Sequence, residues 1–95
     1  MAKFFSANKS FVDYITMLGF KNREADSEER YYVNEKGNQI KIHYQTGLIT
    51  LLNNTGHIVD FSSTFTNEQI DKFSIKENNW FLNYRNYDRK RIRRI

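Results

Sequence analysis

The stretch Gln39-Ile-Lys-Ile-His-Tyr-Gln-Thr-Gly-Leu-Ile-Thr-Leu-Leu52 decides the fold. Its first part alternates between polar and apolar residues and places Ile40, Ile42 and Tyr44 on one side, as in a half-buried β-strand. A tight glycine-containing turn follows. Leu48–Leu52 is then apolar on both faces, which predicts the central and most buried strand of a sheet. Such a short connection joins antiparallel neighbours only.

Strand patterns continue on both sides of this pair. Arg30–Asn34 precedes it across a turn that contains Gly37, and His57–Ser62 follows it across a turn that contains Gly56. Glycine suits such turns because it adopts positive φ without steric cost. The polar stretch Lys21–Arg30 fits either an edge strand or a loop. The sequence therefore predicts an antiparallel β-meander of four or five strands.

Helical patterns flank the meander. Ser10 is a candidate N-cap for a first helix from about residue 8 to 18, and Gly19 is a plausible stop, with Phe20 folding back onto the helix. The apolar positions of this helix recur at helical spacing and are Phe11, Tyr14, Ile15 and Leu18. After the meander, Thr66 and Gln69 have the spacing of a capping box, with Ile70 and Phe73 on the buried face of the helix that it begins.

A third helix is predicted from Asn79 onwards. Six apolar residues fall within about 140° of arc on a helical wheel. They are Trp80, Phe81, Tyr84, Tyr87, Ile92 and Ile95. An extended end beyond Asp88 is an open alternative.

The predicted fold class is α+β. An N-terminal helix, the meander and one or two C-terminal helices would form a single domain over residues 1–95, and 79–95 would be a basic aromatic C-terminal helix or tail. The helices should pack on the sheet face that bears Ile40, Ile42 and Tyr44. A chain of 95 residues is too short for two independent cores.

The basic character of the chain lies in its last seventeen residues. Residues 79–95 contain six of the fifteen Lys and Arg residues and one acid, Asp88, for a formal charge of +5. Residues 1–78 contain nine basic and ten acidic side chains, for a charge of −1. Arginines interleaved with aromatic residues suit a polyanion, because guanidinium groups bind phosphate and rings stack on bases.

This segment supplies the candidate site residues. The candidate contacts to nucleic acid or other anions are Arg85, Arg89, Lys90, Arg91, Arg93 and Arg94. The candidate stacking or interface residues are Trp80, Tyr84 and Tyr87. The same aromatics would also serve as the buried stripe of a terminal helix, so both roles stay open at this point.

Catalysis finds little support in the sequence. The chain has no Cys, so it has neither a disulfide nor a thiolate metal site. His43 and His57 are expected about three residues apart along the sheet, with His43 opposite Ile49 and roughly 10 Å from His57. We therefore predict no catalytic residue, no metal and no cofactor. The acidic group formed by Glu24, Asp26, Glu28 and Glu29 has no EF-hand spacing and is expected to be a solvated loop.

The expected function is that of a small non-enzymatic binding protein in the cytoplasm. Its partner would be nucleic acid or a nucleic-acid-processing complex, and it would act as a phage or mobile-element regulator or as an inhibitor of a host nuclease. The alternative is a protein-interaction module or homodimer that binds an acidic protein surface without touching nucleic acid. No membrane contact is expected, because no apolar run approaches the roughly 20 residues that span a bilayer.

Overall fold

The computed structural model describes residues 3–76. Its elements, in chain order, are β1 (Phe4–Ser6), α1 (Lys9–Met17), β2 (Lys21–Ala25), β3 (Glu29–Val33), β4 (Gln39–His43), β5 (Ile49–Leu52), β6 (Ile58–Ser62), β7 (Thr64–Thr66) and α2 (Asn67–Ser74). The α+β class with antiparallel sheets is confirmed. The helix predicted from Asn79 lies outside the described residues.

Strands β2 to β6 form one antiparallel sheet in sequence order. This is the predicted meander, and Lys21–Ala25 takes the edge-strand alternative. Ile40 pairs with Leu51 and Ile42 with Ile49, so these four side chains share one face. Strand β5 is buried at all four positions, as predicted. Its predicted central position is wrong, because the five-strand order places β4 in the middle.

A second, two-stranded sheet joins the ends of the described chain. Strand β1 pairs antiparallel with β7, and Phe5 lies opposite Phe65. Both phenylalanines are buried. Helix α1 is therefore the second element and not the first, because β1 precedes it.

Helix α1 begins at a cap that differs from the prediction. The Oδ1 atom of Asn8 accepts a hydrogen bond from the Phe11 N–H at 3.1 Å, so the N-cap is Asn8 and not Ser10. Both residue types satisfy the free N–H groups of a first helical turn, which is why the sequence alone did not separate them. The helix ends at Gly19, which has a φ of 102°. There the Phe20 N–H donates to the Ile15 carbonyl at 2.9 Å, in the Schellman arrangement.

Helix α2 begins at the predicted capping box. The Thr66 hydroxyl accepts from the Gln69 N–H at 3.1 Å, and the Gln69 side chain accepts from the Thr66 N–H at 2.8 Å. Two orphan N–H groups of the first turn are thus satisfied reciprocally. Ile70 and Phe73 are buried on the face that the spacing predicted.

The core lies on one face of the large sheet. Ile40, Ile42, Ile49 and Leu51 contribute the sheet side of a single cluster. The helices and the small sheet contribute the other side, with Phe5, Phe11, Ile15, Phe65, Ile70 and Phe73. The two helices therefore pack against the same sheet face, and the hydrogen bond from Tyr14 of α1 to the carboxylate of Asp71 in α2 links them.

We expect Leu51→Asp to unfold the protein, because it places a charge in this core. Leu51 is 3% exposed, and the change should cost about 4 kcal/mol or more of the free energy of unfolding. Urea denaturation followed by circular dichroism measures this cost. The matched control is Phe61→Asp on β6, where the side chain is 61% exposed and the cost should stay near 1 kcal/mol. A melting transition of Leu51→Asp that matches the parent protein would show that β5 does not belong to the core.

We expect the Tyr14–Asp71 hydrogen bond to make stability depend on alkaline pH. This bond, with burial, raises the pKa of Tyr14 from 10.0 to about 12. The protonated phenol therefore stabilises the fold fully below about pH 10, and the effect is lost as the pH rises towards 12. Tyr14→Phe should lower the free energy of unfolding by about 1.5 kcal/mol at neutral pH. The difference between parent and variant, measured by denaturation at several pH values, should shrink between pH 10 and 12. A difference that stays constant would contradict this role for the bond.

Candidate functional site

All nine sequence-predicted site residues lie outside the described residues. These are Trp80, Tyr84, Arg85, Tyr87, Arg89, Lys90, Arg91, Arg93 and Arg94. Their assignment to stacking and anion binding therefore stays a prediction. Residues 3–76 provide the anchor and the surfaces beside which such a segment would act.

The described fold has no net formal charge. Residues 3–76 contain nine basic and nine acidic side chains. The excess positive charge of the protein thus belongs to the segment that follows α2. Long-range attraction of a polyanion would depend mainly on that segment, because a balanced surface generates little net field.

The point from which this segment leaves is fixed by two asparagines. Asn38 donates from Nδ2 to the carbonyl oxygens of Phe73 at 3.1 Å and Lys76 at 2.9 Å. Asn34 donates from Nδ2 to the Ser74 carbonyl at 2.8 Å. The last carbonyls of a helix lack intrahelical partners, and here the β3–β4 turn supplies the donors.

Asn38 is a buried polar residue whose side-chain oxygen accepts no hydrogen bond from residues 3–76. The residue is 1% exposed. The sequence showed Asn34 only as the end of a predicted strand and Asn38 only as a turn residue. Their contact to α2 spans about forty positions, so no local pattern reports it.

A cationic cluster forms where β3 and β4 pair. Arg30 lies opposite Ile42, and Tyr44 follows Ile42 by two residues, so the two side chains share a face. The Arg30 Nε donates to the Tyr44 hydroxyl at 2.5 Å, and Nη1 donates to the Tyr32 hydroxyl at 3.2 Å. The guanidinium carbon lies 5.0 Å from the centre of the Tyr44 ring, within the range of a cation–π contact.

These hydroxyls orient the Arg30 guanidinium and stabilise its charge. The hydrogen bond that Arg30 donates to Tyr32 is the largest effect and that to Tyr44 the second, and together they raise the pKa of Arg30. Within residues 3–76, no carboxylate forms an ion pair with this half-buried side chain. Tyr32 and Tyr44 hold the guanidinium without neutralising its charge, so the cluster has the chemistry of an anion receptor.

The two histidines lie at opposite ends of the sheet. The His43 N–H donates to the Leu48 carbonyl, and the Asn53 N–H donates to the His57 carbonyl, both at 2.9 Å. His43 therefore faces Leu48, and the predicted pairing with Ile49 is wrong by one residue. The residues opposite the two histidines, Leu48 and Asn53, are five positions apart, which corresponds to about 16 Å at strand rise. This separation exceeds the distance between the histidines that the sequence predicted.

The acidic residues between β2 and β3 build a turn. The Asp26 carboxylate accepts from the Glu29 N–H at 2.7 Å and the Glu28 N–H at 2.8 Å, and these bonds lower the pKa of Asp26. Glu29 lies 3.6 Å from the Lys41 ammonium group. In the part of the chain that the structure describes, no three acidic, His or Cys side chains group in a way that could hold a metal ion.

The second face of the large sheet carries apolar residues at the β6 edge. Thr50 pairs with Phe61 and Leu52 with Ile58, which places Phe61 and Ile58 on the face opposite the core. They are 61% and 60% exposed. An edge strand with exposed apolar side chains is suited to contact with another protein.

No protein-family model matches the chain, and no curated protein and no solved structure matches it with significant similarity. Neither of the two helices within residues 3–76 is long and apolar enough to cross a bilayer.

Proposed function

We propose that the protein is a non-enzymatic binding protein that engages nucleic acid, or a nucleic-acid-processing complex, through residues 79–95. One observation carries the proposal. Six basic side chains, one acid and four aromatic rings are concentrated in seventeen residues, next to a fold with no net charge.

The chemistry of this segment fits a polyanion. Five of the six consecutive residues 89–94 are basic, and such a run repels itself unless an anion compensates it. One guanidinium group can bind two phosphate oxygens at once. Bases can stack on the flat rings of Trp80, Tyr84 and Tyr87. Contacts to phosphates would supply affinity and orient the bound strand, and stacking would add to the affinity.

The described fold supports this function as an anchor. Asn34 and Asn38 tie the end of α2 and the Lys76 carbonyl to the sheet, so the part of the chain that precedes the basic segment is held in place. A protein of this kind acts by occupying a surface on its target. A phage or mobile-element regulator in the cytoplasm, such as an inhibitor of a host nuclease, would act in this way.

A second candidate function is favoured by the β6 edge. Ile58 and Phe61 expose apolar surface on β6, which is an edge strand of the sheet formed within residues 3–76. This surface fits a protein partner or a second copy of the chain, which would pair strand to strand. In that case the arginines of residues 79–95 would meet an acidic protein surface.

We expect binding of the parent protein to nucleic acid to weaken steeply with salt. Contacts from four to six cations give a log–log slope of about −3 to −5. Changing Arg89, Arg91, Arg93 and Arg94 to Gln should flatten this slope while the circular dichroism spectrum stays native. Fluorescence anisotropy with a labelled oligonucleotide at several salt concentrations measures both.

The matched control replaces the same four arginines with Lys. This control keeps the charge and should keep most of the slope, because counterion release depends on charge number. Absence of salt-dependent binding by the parent to both RNA and DNA at low ionic strength would rule out direct contact with nucleic acid and favour the protein partner.

We expect Trp80→Ala to weaken this binding and to spare the fold. Loss of one stacked ring costs about 1–3 kcal/mol of binding free energy. Melting temperature and affinity are measured on the same preparation. If Trp80 belongs to the hydrophobic core instead, the variant should lose about 3–5 kcal/mol of stability. A destabilised variant with parental affinity would therefore reject the stacking role.

A further inference from the structure

Three surface cavities adjoin one another along α1. The first lies at the start of α1 and has a volume of about 290 Å³, and the second, of about 570 Å³, shares Val12 and Arg30 with it. The third, of about 640 Å³, shares Lys21 with the second and reaches Ile75. Together they form one groove between α1 and the β2–β3 edge, here called the α1 groove. It runs from Lys9 to the end of α2, where residues 77–95 begin.

The charged residues that line the α1 groove are mainly basic. Lys9, Lys21, Arg30 and Lys36 line it, and Glu35 is the one acidic residue among its lining residues. The neighbouring cavity across β2 is lined by Glu24, Ala25, Asp26 and Tyr31 and is acidic. The fold thus balances its charge overall but separates the two signs across the edge strand, and a polyanion would be attracted to one side only.

Arg30 lies where the first two cavities meet. Tyr32 and Tyr44 hold two of its five N–H donors, and within residues 3–76 no carboxylate neutralises it. Its remaining donors are available for a bidentate contact to a phosphate. The guanidinium is already oriented, so little side-chain entropy is lost when an anion binds.

Tyr44 supplies an aromatic surface beside this cation. Arg30 covers one face of its ring, and the side chain is still 42% exposed. Arginine stacked on one face of an aromatic ring leaves the other face open to a base. An unpaired base next to a phosphate on Arg30 would meet this ring.

We propose that the α1 groove is a binding track for single-stranded nucleic acid, with Arg30 as the phosphate contact and Tyr44 as the stacking contact. This inference rests on the proposed function and names its substrate class. A duplex holds its bases paired and stacked, so they do not reach a ring beside a groove, whereas a single strand presents them freely. A strand in the groove would extend towards Ile75, near the end of the described chain, and the basic segment follows in the sequence.

The test compares a single strand of about 15 nucleotides with the duplex of the same sequence, on the full chain. We expect Arg30→Gln to lower affinity for the single strand roughly tenfold, because it removes a charge-assisted phosphate contact. The salt slope for the single strand should fall in magnitude by about 0.7. Affinity for the duplex should stay within about twofold, since residues 79–95 alone would hold it.

Three further variants complete the test. Lys9 is a rim residue whose side chain is 88% exposed and forms an ion pair with Asp13 at 3.0 Å. Lys9→Gln should stay folded and should weaken single-strand binding less than Arg30→Gln, because Asp13 already offsets part of the Lys9 charge. Lys72→Gln removes an exposed charge on α2 away from the groove lining and should leave both affinities unchanged. Tyr44→Ala should abolish the quenching of a 2-aminopurine base in the strand, which reports stacking.

The outcomes separate the two proposals. Parental single-strand affinity in folded Arg30→Gln and Lys9→Gln, or equal losses for strand and duplex, would overturn the α1 groove as a track. The function of residues 79–95 would survive that result if their Gln variant still flattened the salt slope. Displacement of the single strand by polyglutamate at equal charge concentration would assign the groove to an acidic protein instead. Absence of binding by the parent to either nucleic acid would overturn both proposals.

Discussion

The fold depends on burying one face of a five-stranded sheet with very little material. The chain has no disulfide to assist, so its stability comes from packing. Aromatic side chains fill the space between sheet and helices. The Phe20 and Phe73 rings stack with centres 6.2 Å apart, and Phe5 contacts Phe11 at 5.9 Å and Tyr14 at 4.8 Å. Large rings bury much apolar area per residue, which lets two short helices close the core.

The small size of the two helices also determines which surfaces of the sheet stay exposed. Five strands span about 19 Å across the sheet, and a helix of nine residues is only about 13 Å long. Within residues 3–76, helices α1 and α2 pack on one face of the sheet, and both edge strands keep exposed side chains. At the β2 edge, all five residues are exposed and the space beside α1 becomes the α1 groove. At the β6 edge, Phe61 and Ile58 stay exposed on the second face. The two candidate contact surfaces thus lie at the two edges of the sheet.

The sequence predicted features whose causes are local. The meander followed from alternation and short turns, and the capping box of α2 followed from Thr66 and Gln69 alone. Other features depend on residues far apart in the chain. The β1–β7 pairing joins segments about sixty residues apart, each only three residues long, which is too short for a periodic pattern. The Arg30–Tyr44 contact needed the exact β3–β4 register. The candidate residues of 79–95 were predicted from the concentration of positive charge, which can be read from the sequence without knowledge of the fold.

The identity of residue 30 links packing to function. A lysine at this position would place a compact, strongly hydrated ammonium group beside Tyr44, and it could not donate to both hydroxyls from one plane. Arginine keeps its charge when half-buried, and its flat guanidinium lies against the ring while its edges bond to Tyr32 and Tyr44. Tyr32 and Tyr44 thus hold a cation at the surface, and no carboxylate within residues 3–76 pairs with it. A carboxylate there would satisfy the cation and remove its attraction for an external anion, so the choice of neutral partners keeps Arg30 oriented and still able to bind.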